Sequence, residues 1–266
     1  MTTDLYLITC ITNMHAGSGG TNYGIIDNLV QRDTASELPV IHSTSLKGAL
    51  REFCTENGCD EKMVRHIFGS EPREGNDKTT PGNYKFFSAH LLSLPVRSDK
   101  RPYYNATCPL AINDFLEFCK HSNATLPPSN NANLTEFTAI ANGPFTFDGN
   151  AAMLEGKRAT SGNFDTTKLS NVKTYVGDNP ALFQNPGFTE IVKALPVIAR
   201  NQLENGISQN LWYEEVVPRQ SRFYFAVLRE EKDVHVEEFS KKIQSSLVQI
   251  GANATVGYGY CKITKL

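Results

Sequence analysis

The sequence predicts an α+β fold: a sheet with helices on one face, built on a ferredoxin-like core that carries insertions. Three observations predict it. The first half runs strand, glycine loop, helix, strands. The C-terminal third runs strands, helix, glycine loop, strand. Between those last strands, Val236, Phe239, Ile243, Leu247 and Ile250 recur at helical spacing, so 236–250 reads as an amphipathic helix.

The elements follow in order. Residues 5–12 (LYLITCIT) alternate and are rich in β-branched types, which predicts a strand. HAGSGGTNYGIIDN, 15–28, is punctuated by glycines and reads as a loop. TSLKGALREFCTENG, 44–58, reads as a helix: Thr44 or Ser45 can cap it, Leu46, Leu50 and Phe53 share a face, and Gly58 suits the exit. Lys47 and Arg51 are four apart and share one flank. The polar stretch 70–83 reads as a mobile insertion, 84–96 as a strand region and 111–119 as a helix. Polar loops are expected at 122–136 and 155–180. A hairpin is expected over 195–228, with a polar tip at ENGISQN. ATVGYGYCKI closes the chain as a glycine turn into a last strand.

Composition bounds the function. Of 266 residues, 40% are hydrophobic and 20% charged, which excludes a disordered or collagen-like chain. No apolar run is long enough for a membrane helix, and the N-terminus lacks the basic region of a secretory signal. The six cysteines include no CxxC pair, so reduced thiols in the cytoplasm are expected. With 26 basic and 28 acidic side chains, bulk charge does not drive nucleic-acid binding. Binding through backbone amides, stacking and a few placed cations stays open.

Four motifs carry candidate chemistry. In the first glycine loop, Gly17 and Gly19 let backbone amides approach phosphates, with His15 and Asp27 at its ends. It is neither a Walker loop nor GxGxxG, and an ordinary loop fits it equally well. Asp27 reads either as a turn residue or as a carboxylate that takes a proton or holds a metal. His15 reads first as a hydrogen-bonding residue. In STSLKGALR, hydroxyls and Lys47 at a helix start suit a phosphate, although a cap with a surface lysine explains them as well. In GANATVGYGY, Gly251, Gly257 and Gly259 alternate with tyrosines, a backbone-and-ring surface for RNA or simply a tight turn. The fourth is the hairpin tip, Asn205, Gly206 and Ile207, either a wedge between bases or an exposed connection. Cys54, Cys59 and His66 match no standard zinc spacing, and no GxSxG elbow occurs.

Taken in order, HAGSGG, GIIDNLVQRD, LPVIHSTSLKGALREF and FGS resemble the N-terminal signature of RAMP-superfamily CRISPR proteins, and in particular the backbone subunit of type III-B (Cmr) effector complexes. PVRS followed by TCPLAI, the segment ARNQLENGISQNLWYEEVVPRQSRFYFAV and the loop IGANATVGYGYCKI fit the same family. The match covers 5–69, 84–119 and 195–264. Where many members read PGSSLKG, this chain has His42 and Thr44 in HSTSLKG but keeps the lysine.

The resemblance implies a single domain over 1–266, a modified RNA-recognition-motif palm with an inserted thumb hairpin. It implies copies stacked along a CRISPR guide RNA beside other Cmr subunits. It implies cleavage of complementary target RNA at regular intervals, by attack of a ribose 2′-hydroxyl supported by a divalent metal, Mg or Mn. The family's catalytic carboxylate carries over to Asp27, also the candidate metal ligand, and a family histidine to His15 as a helper. Ser45, Lys47 and Arg51 fall at the guide-contacting helix start. Two alternatives stay open within the superfamily: a structural guide-binding subunit, and a guide-processing ribonuclease that uses His15 without metal. A metabolic enzyme on an unrelated α+β fold has only the loop signals behind it.

Overall fold

The computed structural model describes residues 1–20, 24–70, 79–124, 126–140 and 143–266. The elements in chain order are β1 (Thr2–Cys10), β2 (Val40–Ile41), α1 (Ser43–Glu56), α2 (Glu61–Phe68), β3 (Lys85–Phe86), β4 (Ala89–Val96), β5 (Tyr104–Thr107), α3 (Pro109–His121), α4 (Pro128–Thr138), β6 (Phe145–Thr146), β7 (Ala152–Leu154), β8 (Lys157–Ser161), α5 (Thr166–Val176), β9 (Pro180–Leu182), α6 (Asn185–Lys193), β10 (Val197–Glu204), β11 (Ile207–Glu215), β12 (Arg222–Arg229), α7 (Val236–Ser245), β13 (Val248–Gln249) and β14 (Tyr260–Lys265).

The ferredoxin-like core is present. Strands β14, β1, β12 and β4 are antiparallel neighbours in that order, with α1 following β1 and α7 following β12. Side chains of β1 alternate between two cores, as a strand must. Tyr6, Ile8 and Cys10 pack with Leu46, Leu50 and Phe53 of α1 and Phe239 and Ile243 of α7. Leu5 and Leu7 face the other side, with Ile112 and Phe115 of α3, Leu134 and Phe137 of α4 and Val172 of α5. Helices therefore cover both faces of the sheet, not the one face expected. The second layer comes from the segment between β4 and β12, whose strands β5, β9, β6, β8 and β7 also extend the sheet beyond β4.

Several expected loops are ordered elements. Within 122–136, α4 forms with proline in its first turn and buries Leu134 and Phe137. Within 155–180, β8 and α5 form, and α5 buries Leu169, Val172 and Val176 at helical spacing. Asp165 caps α5 by accepting the backbone N–H groups of Thr167 and Lys168. Most of the expected insertion at 70–83, namely 71–78, lies outside the described residues.

Two boundaries also differ. The C-terminal helix stops at Ser245, because Ser246 is extended and Val248 pairs with Cys261 on β14. Leu247, expected on the buried face, is 44% exposed. Helix α1 starts at Ser43 with no side-chain cap from Thr44 or Ser45. Instead the Ser43 N–H donates to Ser88 Oγ, and the His42 N–H donates to Gln31 Oε1 at 2.7 Å.

The thumb is the separate two-stranded sheet of β10 and β11. Asn205 and Gly206 both have positive φ, 51° and 80°, as a two-residue hairpin turn requires. The expected range of 195–228 is too long, since β12 belongs to the palm sheet. No helix among the described residues is long and apolar enough to cross a membrane.

Candidate active site at the base of the thumb

Asp27 is exposed and is held by the thumb. Its backbone N–H and that of Asn28 both donate to the Tyr213 carbonyl at 3.1 Å. The Tyr213 N–H donates back to Asp27 Oδ2 at 2.8 Å. The Glu215 N–H then donates to the Asn28 carbonyl at 2.9 Å. Residues 27–28 thus add to the free edge of β11, and the second carboxylate oxygen of Asp27 has no protein partner among the described residues. Ile25, two residues before, is 88% exposed.

Two adjacent buried carboxylates organise the surroundings. Glu214 accepts from Trp212 Nε1 at 3.0 Å, Arg200 Nε at 3.1 Å, Asn253 Nδ2 at 2.9 Å and, more distantly, Asn28 Nδ2 at 3.5 Å. Burial alone would push its carboxyl up. The hydrogen bonds from Trp212 and Arg200, with His15 nearby, outweigh burial and hold it below the ordinary carboxylate range. The Arg200 guanidinium also lies 4.4 Å from the centre of the Tyr258 ring. Glu215 accepts from the Val30 N–H at 3.1 Å and from Arg32. One carboxylate pair therefore joins the Asp27 loop, both thumb strands and the last glycine loop.

His15 is buried, and its Nδ1 donates to the Glu215 carbonyl at 2.7 Å. That anchor lies two residues along β11 from Tyr213, a rise of about 7 Å. Gln31 makes the next connection. Its Nε2 donates to the Gly17 carbonyl at 3.0 Å and to Ser45 Oγ at 2.9 Å, which sets the first glycine loop against the start of α1. Lys47 is half-buried one turn into α1, with Arg51 on the same flank.

The last glycine loop packs on this assembly. The Ala252 N–H donates to the His15 carbonyl at 2.8 Å. Gly251 has φ of 90°, and a Cβ there would lie 2.4 Å from that same carbonyl oxygen. Gly259 has φ of 77°, and a Cβ would lie 2.0 Å from the Ile250 carbonyl oxygen. Only glycine fits either place. Gly19 and Gly257 border open space.

The fold thus gathers Gly17, Asp27, Ser45 and Gly251 into one assembly, with His15 and Gly259 buried behind it. It leaves the tip, Asn205 to Ile207, at the far end of the hairpin, about 20 Å from Tyr213 at strand rise. Leu203, Ile207 and Leu211 toward that tip are 61%, 66% and 54% exposed. Sequence reasoning missed Gln31, Glu214 and Glu215. The available signal was a pair of acids ending an otherwise apolar strand, LWYEEVV. For a divalent cation the donor set is a single exposed carboxylate. No group of three His, Cys, Asp or Glu residues among the described ones converges on a metal position. An ion such as Mg²⁺ keeps most of its waters and takes one or two carboxylates plus phosphate oxygens, so Asp27 is the residue here that could hold one.

The sequence model of the RAMP superfamily matches residues 7–262. The chain is 29% identical to the CRISPR system Cmr endoribonuclease Cmr4 of Pyrococcus furiosus, over 96% of this chain and 92% of that protein. Its fold matches a chain of the Type III-B Cmr-beta complex bound to cognate target RNA, with a TM-score of 0.82 at 19% identity, covering 100% of this chain and 97% of that one. It also matches oligomeric Cmr4 from Pyrococcus furiosus, with a TM-score of 0.73 at 23% identity, covering 100% and 98%. With the family match spanning nearly the whole chain and a ferredoxin-like palm bearing a thumb hairpin, the protein belongs to the RAMP superfamily.

Proposed function

We propose that this chain is the repeating backbone subunit of a type III-B CRISPR effector, binding guide RNA and cutting complementary target RNA. Its partners are the guide, the target, further copies of itself and other Cmr subunits. The observation that carries the reading is the pinning of Asp27, an exposed carboxylate with one oxygen unpartnered among the described residues, to the base of a protruding hairpin. The 29% identity to a Cmr endoribonuclease over nearly the full length supports it.

In this mechanism the exposed apolar side chains near the thumb tip enter the guide–target duplex and displace a nucleotide pair. Displacement turns the ribose so that its 2′-hydroxyl stands in line behind the neighbouring phosphate, and such positioning supplies much of the rate. The 2′-oxygen bonds to phosphorus and the bond to the 5′-oxygen breaks, leaving a 2′,3′-cyclic phosphate and a 5′-hydroxyl. Asp27 takes the 2′ proton on the oxygen that Tyr213 leaves free, and water supplies the proton to the departing 5′-oxygen. A divalent ion, Mg or Mn, would be held by Asp27 together with RNA phosphate oxygens and water, and it supplies positive charge beside the reacting phosphate. His15 acts indirectly, by holding the Glu215 end of β11. Ser45, Lys47 and Arg51 at the start of α1, with the backbone of Gly17, Gly19, Gly251 and Gly257, form the guide-facing surface, and buried Gly259 fixes the turn behind it.

The test is cleavage of labelled complementary RNA by the reconstituted guide complex in magnesium or manganese, with wild type and Asp27→Ala. Regularly spaced cuts that vanish in the variant, with target still bound, are expected. Cuts that persist in the variant overturn the assignment of Asp27. Target bound but uncut by both proteins makes the chain a structural guide-binding subunit. Metal-independent cutting of repeat RNA by the isolated chain would make it a guide-processing ribonuclease.

A further inference from the structure

On the opposite face of the palm from α1 lies a cavity of about 370 Å³ that the proposed RNA chemistry does not use. Its lining includes Asp33, His90, Asp114, Glu117, Phe118 and Tyr224. The floor is aromatic: the Tyr224 ring lies 5.8 Å from His90 in a stacked pose and 5.6 Å from Phe118. The rim carries the carboxyls of Asp33, Asp114 and Glu117 with His121 beside them, and no lysine or arginine among the described residues lines it.

What sets this cavity apart is the number of acceptors left over. Tyr224 is only 3% exposed, yet its hydroxyl has no hydrogen-bond partner among the described residues. The ring nitrogens of His90 likewise have none. Asp114 and Glu117, one helical turn apart on α3, make neither a side-chain hydrogen bond nor an ion pair there. Asp33 uses one oxygen, Oδ1, for the backbone N–H groups of Ala35 and Ser36 and the Ser36 hydroxyl, leaving its other oxygen free. Burial pushes the Asp114 carboxyl up, and Glu117 and Asp33 add to this while His90 opposes it. Burial pushes the His90 imidazole down, which keeps it a neutral acceptor. A nearly buried phenol whose hydroxyl opens into the cavity, a half-buried imidazole without a partner among the described residues and two exposed carboxylates on the rim suit a ligand that brings donors and positive charge.

We infer that this cavity binds a guanidinium group. Guanidinium is flat enough to lie against the half-exposed Phe118 ring, and its fork of five N–H donors matches carboxylates, a phenol oxygen and an imidazole nitrogen together. A phosphate or a nucleic-acid backbone is excluded by the same carboxylates. The volume suits an arginine side chain, which can come from another copy of this chain or from a free arginine-like cation. The inference stands on this cavity alone and does not depend on the RNA-cutting reading.

The experiment is calorimetric titration of the full-length protein with N-acetyl-arginine methylamide and with its citrulline counterpart, which has the same shape without the charge. NMR of the His90 imidazole is followed in parallel. Saturable binding of the arginine probe is expected, with the citrulline probe and the Asp114→Asn variant each about tenfold weaker. Tyr224→Phe should also weaken the probe while leaving the melting temperature unlowered, because its hydroxyl makes no hydrogen bond among the described residues. The inference is overturned if the arginine probe gives no saturable signal, if citrulline binds equally well, or if both variants bind like wild type. Sedimentation of Asp114→Lys then separates the two sources. Loss of self-association identifies an arginine of another copy, and unchanged self-association with loss of the probe identifies a free cation.

Discussion

Asp27 and Tyr213 are 186 residues apart, yet they exchange backbone and side-chain hydrogen bonds in both directions. The Tyr213 N–H holds Asp27 Oδ2 at 2.8 Å, so the carboxylate cannot turn without leaving a strand donor open. This separates charge from position. Asp27→Asn keeps an acceptor for Tyr213 but loses the charge. Its cleavage rate should fall about 10³-fold with unchanged thermal stability. Asp27→Ala should be equally inactive and also lose about 1 kcal/mol of stability. Single-turnover cleavage and thermal melts on the two variants check both parts.

Glu214 is the keystone of the thumb base. Removing it in Glu214→Ala leaves the Arg200, Trp212 and Asn253 donors unpaired and should cost about 3 kcal/mol. Its carboxyl lies below its ordinary value of 4.5 in the folded protein. The group binds fewer protons folded than unfolded near that pH, so its contribution is full above about 4.5 and is lost as pH falls through the folded value. Urea unfolding of wild type and Glu214→Gln between pH 7 and pH 3 should show the variant losing less stability on the acid side.

Two glycines of the last loop share positive φ but differ in surroundings. Gly251 abuts the His15 carbonyl, while nothing lies within 4 Å of a Cβ at Gly257. Gly251→Ala should cost about 3 kcal/mol and loosen the His15 anchor. Gly257→Ala should cost about 1 kcal/mol. Chemical denaturation of the pair measures the difference. Equal costs would show that the loop shifts away from His15 freely.

The cysteines give a test of the fold that needs no RNA. Five of the six are buried and Cys59 alone is partly exposed. Burial pushes the Cys108 thiol up to about 11 and the Cys119 thiol to about 12. A thiol reagent at pH 8 should modify one residue rapidly in the native protein, Cys59 by peptide mass, and all six only after denaturation.

The thumb tip should be separable from stability. Leu203 and Ile207 are mostly exposed, so Leu203→Ser and Ile207→Ser should leave the melting temperature within about 0.5 kcal/mol of wild type in free-energy terms. The same changes in the guide complex should reduce cleavage and its regular spacing while guide binding is kept. Cleavage assays beside thermal melts read both effects.

Much of this fold was legible wherever a short window carried its own periodicity. Leu46, Leu50 and Phe53 announce α1. Alternation announces β1, and Asn205-Gly206 between two strands announces the hairpin. Helix α4 was hidden because its window is rich in Asn, Pro and Ser, and only Leu134 and Phe137 face the core. Helix α5 was hidden by its polar neighbours, although Leu169, Val172 and Val176 keep the helical interval. Leu247 misled because it continues the spacing of α7 past the point where Val248 leaves to pair with Cys261. In the candidate site, Asp27 was legible through its motif, whereas Glu214 and Glu215 were not, because their partners lie in distant segments, and Gln31 was not, because no periodicity marks a side chain that bridges two loops.

Local spacing and residue type were thus enough for the glycine loops, the first and last helices of the palm, the thumb and the candidate carboxylate. Each depends on neighbours within a few residues. Long-range contact set the surroundings of the candidate carboxylate Asp27. Its grip by Tyr213, the His15 anchor on Glu215 and the meeting of three segments on Glu214 all need buried polar groups to find partners from across the chain. Burial leaves such groups no water to bond, so their hydrogen bonds must close within the protein, and only the folded sheet brings those partners within reach.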